Sequence, residues 1–169
     1  MTRYDLVTVW RLPASPAQVW QVLARAEHWP RWWPEVERVE ILTPHNPAGL
    51  GARHRHHWRT RLGYRLCFEL EVVRLDPPSR VDALISGDLV GRGRCRLRGG
   101  AGRTVVRIDW HVHTRKAWMN RLAPLARPAF LWNHRRVMAS GEAALSALLV
   151  SAPASVNHSF PSGTSCHSR

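Results

Sequence analysis

The histidines of this chain are spaced for chemistry. His54-Arg-His56 and His111-Val-His113 are two HxH pairs, and two imidazoles on one face of a strand form half of a metal site. The same pairs could do acid/base work, because imidazole titrates near pH 6.5 and burial moves it toward the neutral base. An aldol-type ring closure or a dehydration needs such a base within reach of an acidic carbon, and a donor for the enolate. Tyr64, Asn133 and His134 are the candidate donors, with His54 and His56 the candidate catalytic residues. A third reading is non-catalytic: His54 and His56 line a pocket, bind water or orient a ligand headgroup. Asp88 and Asp109 are the nearest acids, and strand alternation turns Asp109 outward, so no inward carboxylate accompanies the imidazoles. Cys67, Cys95 and Cys166 are too few and too scattered for a CxxC metal site or a disulfide framework and are expected to be reduced.

These residues fall on elements that the hydrophobic pattern predicts. Residues 4–12 mix β-branched and aromatic side chains. Ser15 then reads as an N-cap with Pro16 at the first helical position, opening a short amphipathic helix with Val19, Trp20, Leu23 and Ala24 on one stripe. Pro30 and Pro34 bracket Trp32 and Trp33, and a strand follows from Val36 to Leu42, before the turn-rich TPHNPAGLG. From residue 52 the period becomes two. Residues 53–61 place His54, His56, Trp58 and Thr60 on the inward face and Arg53, Arg55, His57, Arg59 and Arg61 on the other. Residues 66–75 turn Leu66, Phe68, Leu70 and Val72 to one side, and 80–87 do the same with Val81, Ala83 and Ile85. Residues 92–98 alternate arginines with Gly93, Cys95 and Leu97. Residues 104–112 turn Val106, Ile108, Trp110 and Val112 inward, which sends His111 and His113 outward. The sum is an antiparallel meander with one buried face. After Lys116 a helical pattern returns, interrupted by Pro124 and Pro128, then runs from Ala129 to Leu149 with Phe130, Val137, Gly141, Leu145 and Leu148 on one stripe. Gly141 costs about 1 kcal/mol of helix propensity against Ala, which marks a close approach to the sheet.

The whole chain has 169 residues, enough for one domain, here 1–150, with a Ser-rich tail over 151–169 expected to be disordered. The net charge is +13, and every basic residue except Lys116 is Arg. That skew reflects genome composition as much as function, so nucleic acid is not the expected partner, and neither a recognition helix nor an RNA-type aromatic and basic strand is present. The Arg rows 53–61 and 92–98 would make a basic convex surface. It is either a solvated face or a dock for anionic lipid headgroups. No apolar run is long enough for a membrane span and the first residues lack a signal-peptide core, so a cytoplasmic location is expected. P-loop, GxGxxG and GxSxG motifs and a nucleophile triad are absent from the sequence, and no cofactor is expected. Nine tryptophans stand out. Trp20, Trp58, Trp110 and Trp118 fall on inward faces, whereas Trp29, Trp32 and Trp33, beside Arg31, either pack under the sheet edge or touch a membrane or partner.

Strand, helix pair, strands and one long helix form an α+β order. The segments LPASPAQVWQVLARAEHWPRWWPEV, LGYRLCFELEVVRLDPPSRV, SGDLVGRGRCRL and RKAWMNRLAPLARPAFLWNHRRVMASGEAAL resemble the START-like (SRPBCC) superfamily with the helix-grip fold of the birch-pollen allergens, in its polyketide cyclase/dehydrase and lipid-transport branch. The last segment is similar to a narrower bacterial subgroup, and the likeness covers residues 4–149. It implies a curved antiparallel sheet of about seven strands wrapped around the C-terminal helix, with a hydrophobic cavity beneath that helix. The two HxH strands would then lie several positions apart at about 4.8 Å each, too far to share an ion. The expected function is binding of a hydrophobic small molecule, lipid, quinone or polyketide-like. Its candidate contacts are Trp58, Phe68, Leu70, Ile85, Cys95, Ile108 and Trp110 from the strands. From the helical region come Trp118, Phe130, Asn133, His134 and Val137. The rivals are a cyclase, aromatase or dehydratase using a cavity histidine as base, and a membrane- or protein-docking module whose own tryptophans fill the cavity. Oligomeric state is not legible in the sequence.

Overall fold

The computed structural model describes residues 3–43, 49–100, 102–115 and 117–151, with the side chains of 117–126 excepted. Of the expected tail 151–169 only Ser151 is described, as a helical residue, and 152–169 and the centre of the TPHNPAGLG loop lie outside the described residues.

Seven strands are present: β1 Arg3–Leu12, β2 Val36–Ile41, β3 Arg53–Arg59, β4 Arg65–Asp76, β5 Arg80–Gly87, β6 Leu89–Gly100 and β7 Arg103–Thr114. They form one antiparallel sheet in the order β1-β7-β6-β5-β4-β3-β2. Consecutive hairpins make the meander from β2 to β7, and β1 returns beside β7 with Trp10 opposite Val106 and Leu6 opposite Trp110. The chain leaves β1 and reaches the opposite edge strand β2 through helix α1, Pro16–Leu23, and a 3₁₀ segment, Ala26–Arg31. Ser15 caps α1 as its sequence requires: its hydroxyl accepts the Gln18 N–H, and the Gln18 side chain accepts the Ser15 N–H.

Helix α2, Ala117–Ser151, crosses the concave face. It is continuous where the two prolines predict an interruption. A proline removes one N–H and crowds the preceding turn, but burial of Phe130, Val137, Met138 and Leu145 holds the axis beyond it. Leu148 departs from the expected stripe and is 38% exposed. Leu145 and Leu149, four residues apart, carry the apolar face there instead.

Gly141 does mark a close approach, but to an indole rather than to the sheet. A Cβ at this position would lie 2.6 Å from Cζ2 of Trp33. Trp33 is buried, donates its Nε1–H to the Val137 carbonyl at 3.1 Å, and has its ring centroid 5.2 Å from Trp10 and 4.8 Å from Trp58. The WPRWWP segment thus packs under the sheet and pins α2. A gap in the helix surface at Gly141 is what admits the ring.

On the convex face the arginine rows meet carboxylates. Arg53 and Arg55 pair with Glu69, Arg59 and Arg65 with Glu37, Arg80 and Arg94 with Asp82, and Arg96 and Arg107 with Asp109. The expected uniformly basic surface is therefore a ladder of mixed charge over much of its extent. Cross-strand neighbours on an antiparallel sheet sit close enough to pair, and counting arginines along single strands misses that. Asp109 points outward as alternation predicts, yet its side chain is 7% exposed because Arg96 and Arg107 cover it. No helix among the described residues is long and apolar enough to cross a membrane.

Candidate ligand-binding cavity

The concave side of the sheet, α1, the 3₁₀ segment and α2 border two partly open chambers. The larger measures about 520 Å³. Its sheet wall comes from inward positions of five strands: His54, His56 and Trp58 of β3, Phe68, Leu70 and Val72 of β4, Val81 and Ala83 of β5, Gly93 and Cys95 of β6, and Ile108 and Trp110 of β7. Trp10, Trp20, Leu23, Trp29 and Trp33 close the side nearest α1, and Met138 reaches in from α2. The smaller chamber, about 110 Å³, lies toward the N-terminal part of α2, where Tyr4, Tyr64, Leu66, Leu89, Val112, Phe130, Asn133, His134 and Val137 border it. Trp58, Phe68, Trp110 and Met138 border both chambers and form the partition.

The expected contact residues are therefore distributed, not gathered. Leu70, Cys95 and Ile108 face the large chamber, Phe130, Asn133, His134 and Val137 face the small one, and Trp58, Phe68 and Trp110 stand between. Ile85 borders neither. It is 3% exposed and packs with Tyr4, Phe68, Val112 and Phe130, so its surface is already consumed by core contacts. The side chain of Trp118 lies outside the described residues. Trp10, Trp33 and Met138 were not foreseen as lining residues. The even-numbered run Tyr4, Leu6, Thr8, Trp10 of β1 carries the signal for Trp10, while Met138 falls beside the expected helix stripe. Leu75 also reaches the large chamber because a bulge between Val72 and Arg74 reverses the alternation of β4.

His54 and His56 both border the large chamber and are 7% and 0% exposed. The His56 ring stacks on Phe68, centroids 5.5 Å apart and planes 5° from parallel, with Trp29 at 5.5 Å on another side. Burial, aided by the charges that His54 and His57 could carry, holds its pKa down at about 3. It is neutral at physiological pH. A base whose conjugate acid is that strong removes protons poorly, and both ring nitrogens are covered by neighbours. The proposed donors stand apart from it, across the partition. His134 Nε2 lies 3.2 Å from the Thr8 hydroxyl, and burial with Arg135 nearby lowers its pKa to about 4. Asn133 Oδ1 accepts the Arg61 backbone N–H at 3.0 Å, and burial raises Tyr64 to about 12. Cys95 is likewise pushed up to about 12 by burial, with the Asp109 carboxylate adding to it, which leaves a neutral, unreactive thiol in the wall. His111 is outward and pairs with Asp5 at 2.8 Å, on a strand four places from β3. Among the described residues no group of three or more metal-ligating side chains comes together.

A seven-stranded antiparallel sheet curved around a long C-terminal helix, with an apolar cavity between them, is the helix-grip architecture of START-like and birch-pollen-allergen-like proteins. Solved structures agree. A START superfamily protein from Mycobacterium smegmatis superposes with TM-score 0.69 at 15% identity, over 86% of this chain and 97% of that one. The Zhui aromatase/cyclase from Streptomyces sp. R1128 gives 0.70 at 22% identity over 88% and 94%. The di-domain aromatase/cyclase BexL from the BE-7585A biosynthetic pathway gives 0.70 at 17% identity over 89% of this chain and 51% of that one. At such identities the likeness is one of fold. Residues 5–145 match the family described as polyketide cyclase / dehydrase and lipid transport, and the chain belongs to that family. No curated protein matches the chain.

Proposed function

We propose that this protein binds a hydrophobic small molecule, of lipid, quinone or polyketide-like character, in the large chamber between the sheet and α2. The observation that carries this reading is the chamber itself: about 520 Å³ walled by indoles, aliphatic groups and two imidazoles, that of His56 held neutral by burial, a volume within the roughly 300–1,000 Å³ of small-molecule sites. The tryptophans wall this space without filling it, which speaks against a self-filled docking module. Arg94 reaches the rim, where its guanidinium, 3.3 Å from Asp82, shares that carboxylate with Arg80, and the other described lining residues carry no Lys, Arg, Asp or Glu side chain.

Native mass spectrometry of the purified protein, with organic extraction of whatever is released, tests this directly. Gly93→Leu supplies the control. A Cβ there meets only Ile85 Cδ1, at 3.4 Å, so the new side chain projects into the chamber and is expected to expel the ligand while leaving the melting temperature near that of the parent. An equally loaded Gly93→Leu variant would overturn the assignment.

The family also supports a second reading, a cyclase or dehydratase that uses a cavity histidine as base. The covered, weakly basic ring of His56 narrows that reading to His54. His54→Ala is then expected to lower turnover of a poly-β-ketone substrate by about 10²–10⁴ with binding retained, and unchanged turnover would dismiss it.

A further inference from the structure

The partition between the chambers is built from unequal parts. Trp58, Phe68 and Trp110 stand on adjacent or nearby strands and brace one another. Trp58 and Phe68 have centroids 6.0 Å apart, and Phe68 meets Trp110 edge-on at 5.9 Å and 89°. Two of them also have support from outside the set: His56 stacks on Phe68, and Trp33 lies 4.8 Å from Trp58. The fourth member, Met138, comes from the helix and is 5% exposed. Its backbone is fixed, because the preceding carbonyl, that of Val137, accepts the Trp33 indole N–H. Its side chain is the flexible piece, an unbranched thioether with three rotatable bonds.

Beyond the partition lies space suited to an apolar chain end. The 110 Å³ of the small chamber far exceeds the roughly 10–15 Å³ that one water requires. Leu6, Leu66, Leu89, Val112 and Phe130 supply aliphatic and aromatic surface to its wall. Several polar groups on its border are held by the protein, His134 by Thr8, Asn133 by the Arg61 backbone, Thr60 by the Tyr64 carbonyl and Arg59 by Glu37, while the Tyr4 hydroxyl is buried with no hydrogen-bond partner among the described residues.

Resting on the ligand-binding reading above, we propose that Met138 is the length-selecting residue of the cavity: it separates the large chamber from a small apolar annex, and it swings aside for a ligand whose slender alkyl end outruns the large chamber. The cargo class this favours is a neutral molecule with an unbranched apolar tail. Its bulk rests against the indoles of the large chamber and its tail end passes between Met138 and the Trp58–Phe68–Trp110 wall.

The test uses n-alkan-1-ols from about ten to about eighteen carbons, titrated calorimetrically into the parent protein, Met138→Ala and Met138→Phe, with melting curves to establish that each variant folds. Each methylene newly buried strengthens binding about fourfold. Met138→Ala is expected to move the tightest-binding length upward and to improve the longest alcohol about tenfold or more relative to the shortest. Met138→Phe is expected to move it downward. Should either variant not fold, Met138→Leu, close in volume but branched and stiffer, is expected to weaken the longest alcohols about tenfold and the shortest by less than about twofold. A length profile unchanged across the variants, with the parent binding normally, overturns the role of Met138 alone. Failure of the parent and the Ala variant to bind any alcohol overturns the ligand-binding reading together with it.

Discussion

Replacing Gly141 with Ala sets two effects of known size against each other. In an exposed helix interior the change would stabilise by about 1 kcal/mol. Here the new Cβ would lie 2.6 Å from Cζ2 and 2.9 Å from Nε1 of Trp33, well inside the roughly 3.5–4.0 Å of favourable contact. Retreat of the ring is restricted: Trp10, Trp29, Trp32 and Trp58 have centroids 4.8–5.6 Å from it, its Nε1–H is committed to Val137, and only the side that borders the large chamber is open. Overpacking of this kind costs about 1–3 kcal/mol, and weakening the buried hydrogen bond adds about 1 kcal/mol. The net expectation is a loss of about 1–3 kcal/mol. For a chain of this size that lowers the melting temperature by roughly 3–10 °C. Urea denaturation and thermal melting of Gly141→Ala measure it. The double variant with Trp33→Phe, in which the smaller ring makes room, should lose less than the sum of the single changes. A Gly141→Ala protein as stable as the parent, or more so, would refute the claim that the glycine exists to admit the indole.

Two further outcomes follow from buried ionisable groups. The unfolded chain takes up protons on its histidines near pH 6.5, whereas the folded protein protonates His134 only near about 4 and His56 only near about 3. Stability is therefore full above pH 6.5 and falls as the pH drops through 6 and 5, by at most about 1.4 kcal/mol per pH unit for each such histidine. His56→Phe keeps the stack on Phe68 and is expected to flatten that slope, and melting temperatures at pH 6.5 and 5 that fall as steeply as in the parent would count against the burial argument. Asp109→Asn leaves Arg96 and Arg107 without their anion at a side chain only 7% exposed, for an expected loss of about 1–2 kcal/mol in chemical denaturation. Asp5→Asn, at a pair whose carboxylate is 48% exposed, should leave the denaturation midpoint close to that of the parent, and equal losses at the two sites would show that burial does not set the value of these pairs.

Local rules made much of this fold legible. Ser15, Pro16 and Gln18 specify the start of α1 through hydrogen bonds made within four residues, and two-residue alternation identifies the concave face of β3 to β7 because a strand's parity is a local property. Where parity is broken locally it misleads, as at the Val72–Arg74 bulge that delivers Leu75 to the cavity. The prolines of α2 misled for the opposite reason. Their cost is local, but the burial that overrides it is supplied by the sheet. The Arg rows illustrate the same limit, since Glu69 lies 14 residues from Arg55 in sequence and directly beside it in space.

The cavity depends almost wholly on such long-range placement. Parity brings His54 and His56 to the inner face, and Asn133, His134 and Tyr64 are inward too, so a sequence reading can assemble them into one acid/base constellation. What separates them is a set of rings from β3, β4 and β7 and one thioether from α2, whose meeting no periodicity announces. With Trp58, Phe68, Trp110 and Met138 bordering both chambers, the imidazole of His56 faces the large one and those donors face the small one. The stack of His56 on Phe68 makes the ring part of a wall, neutral and buried, which supports the binding reading proposed above over proton transfer by this ring. If the proposed role of Met138 holds, selectivity rests with the partition, where a one-residue change in volume is expected to alter which ligands fit, more than with the histidines that first draw the eye.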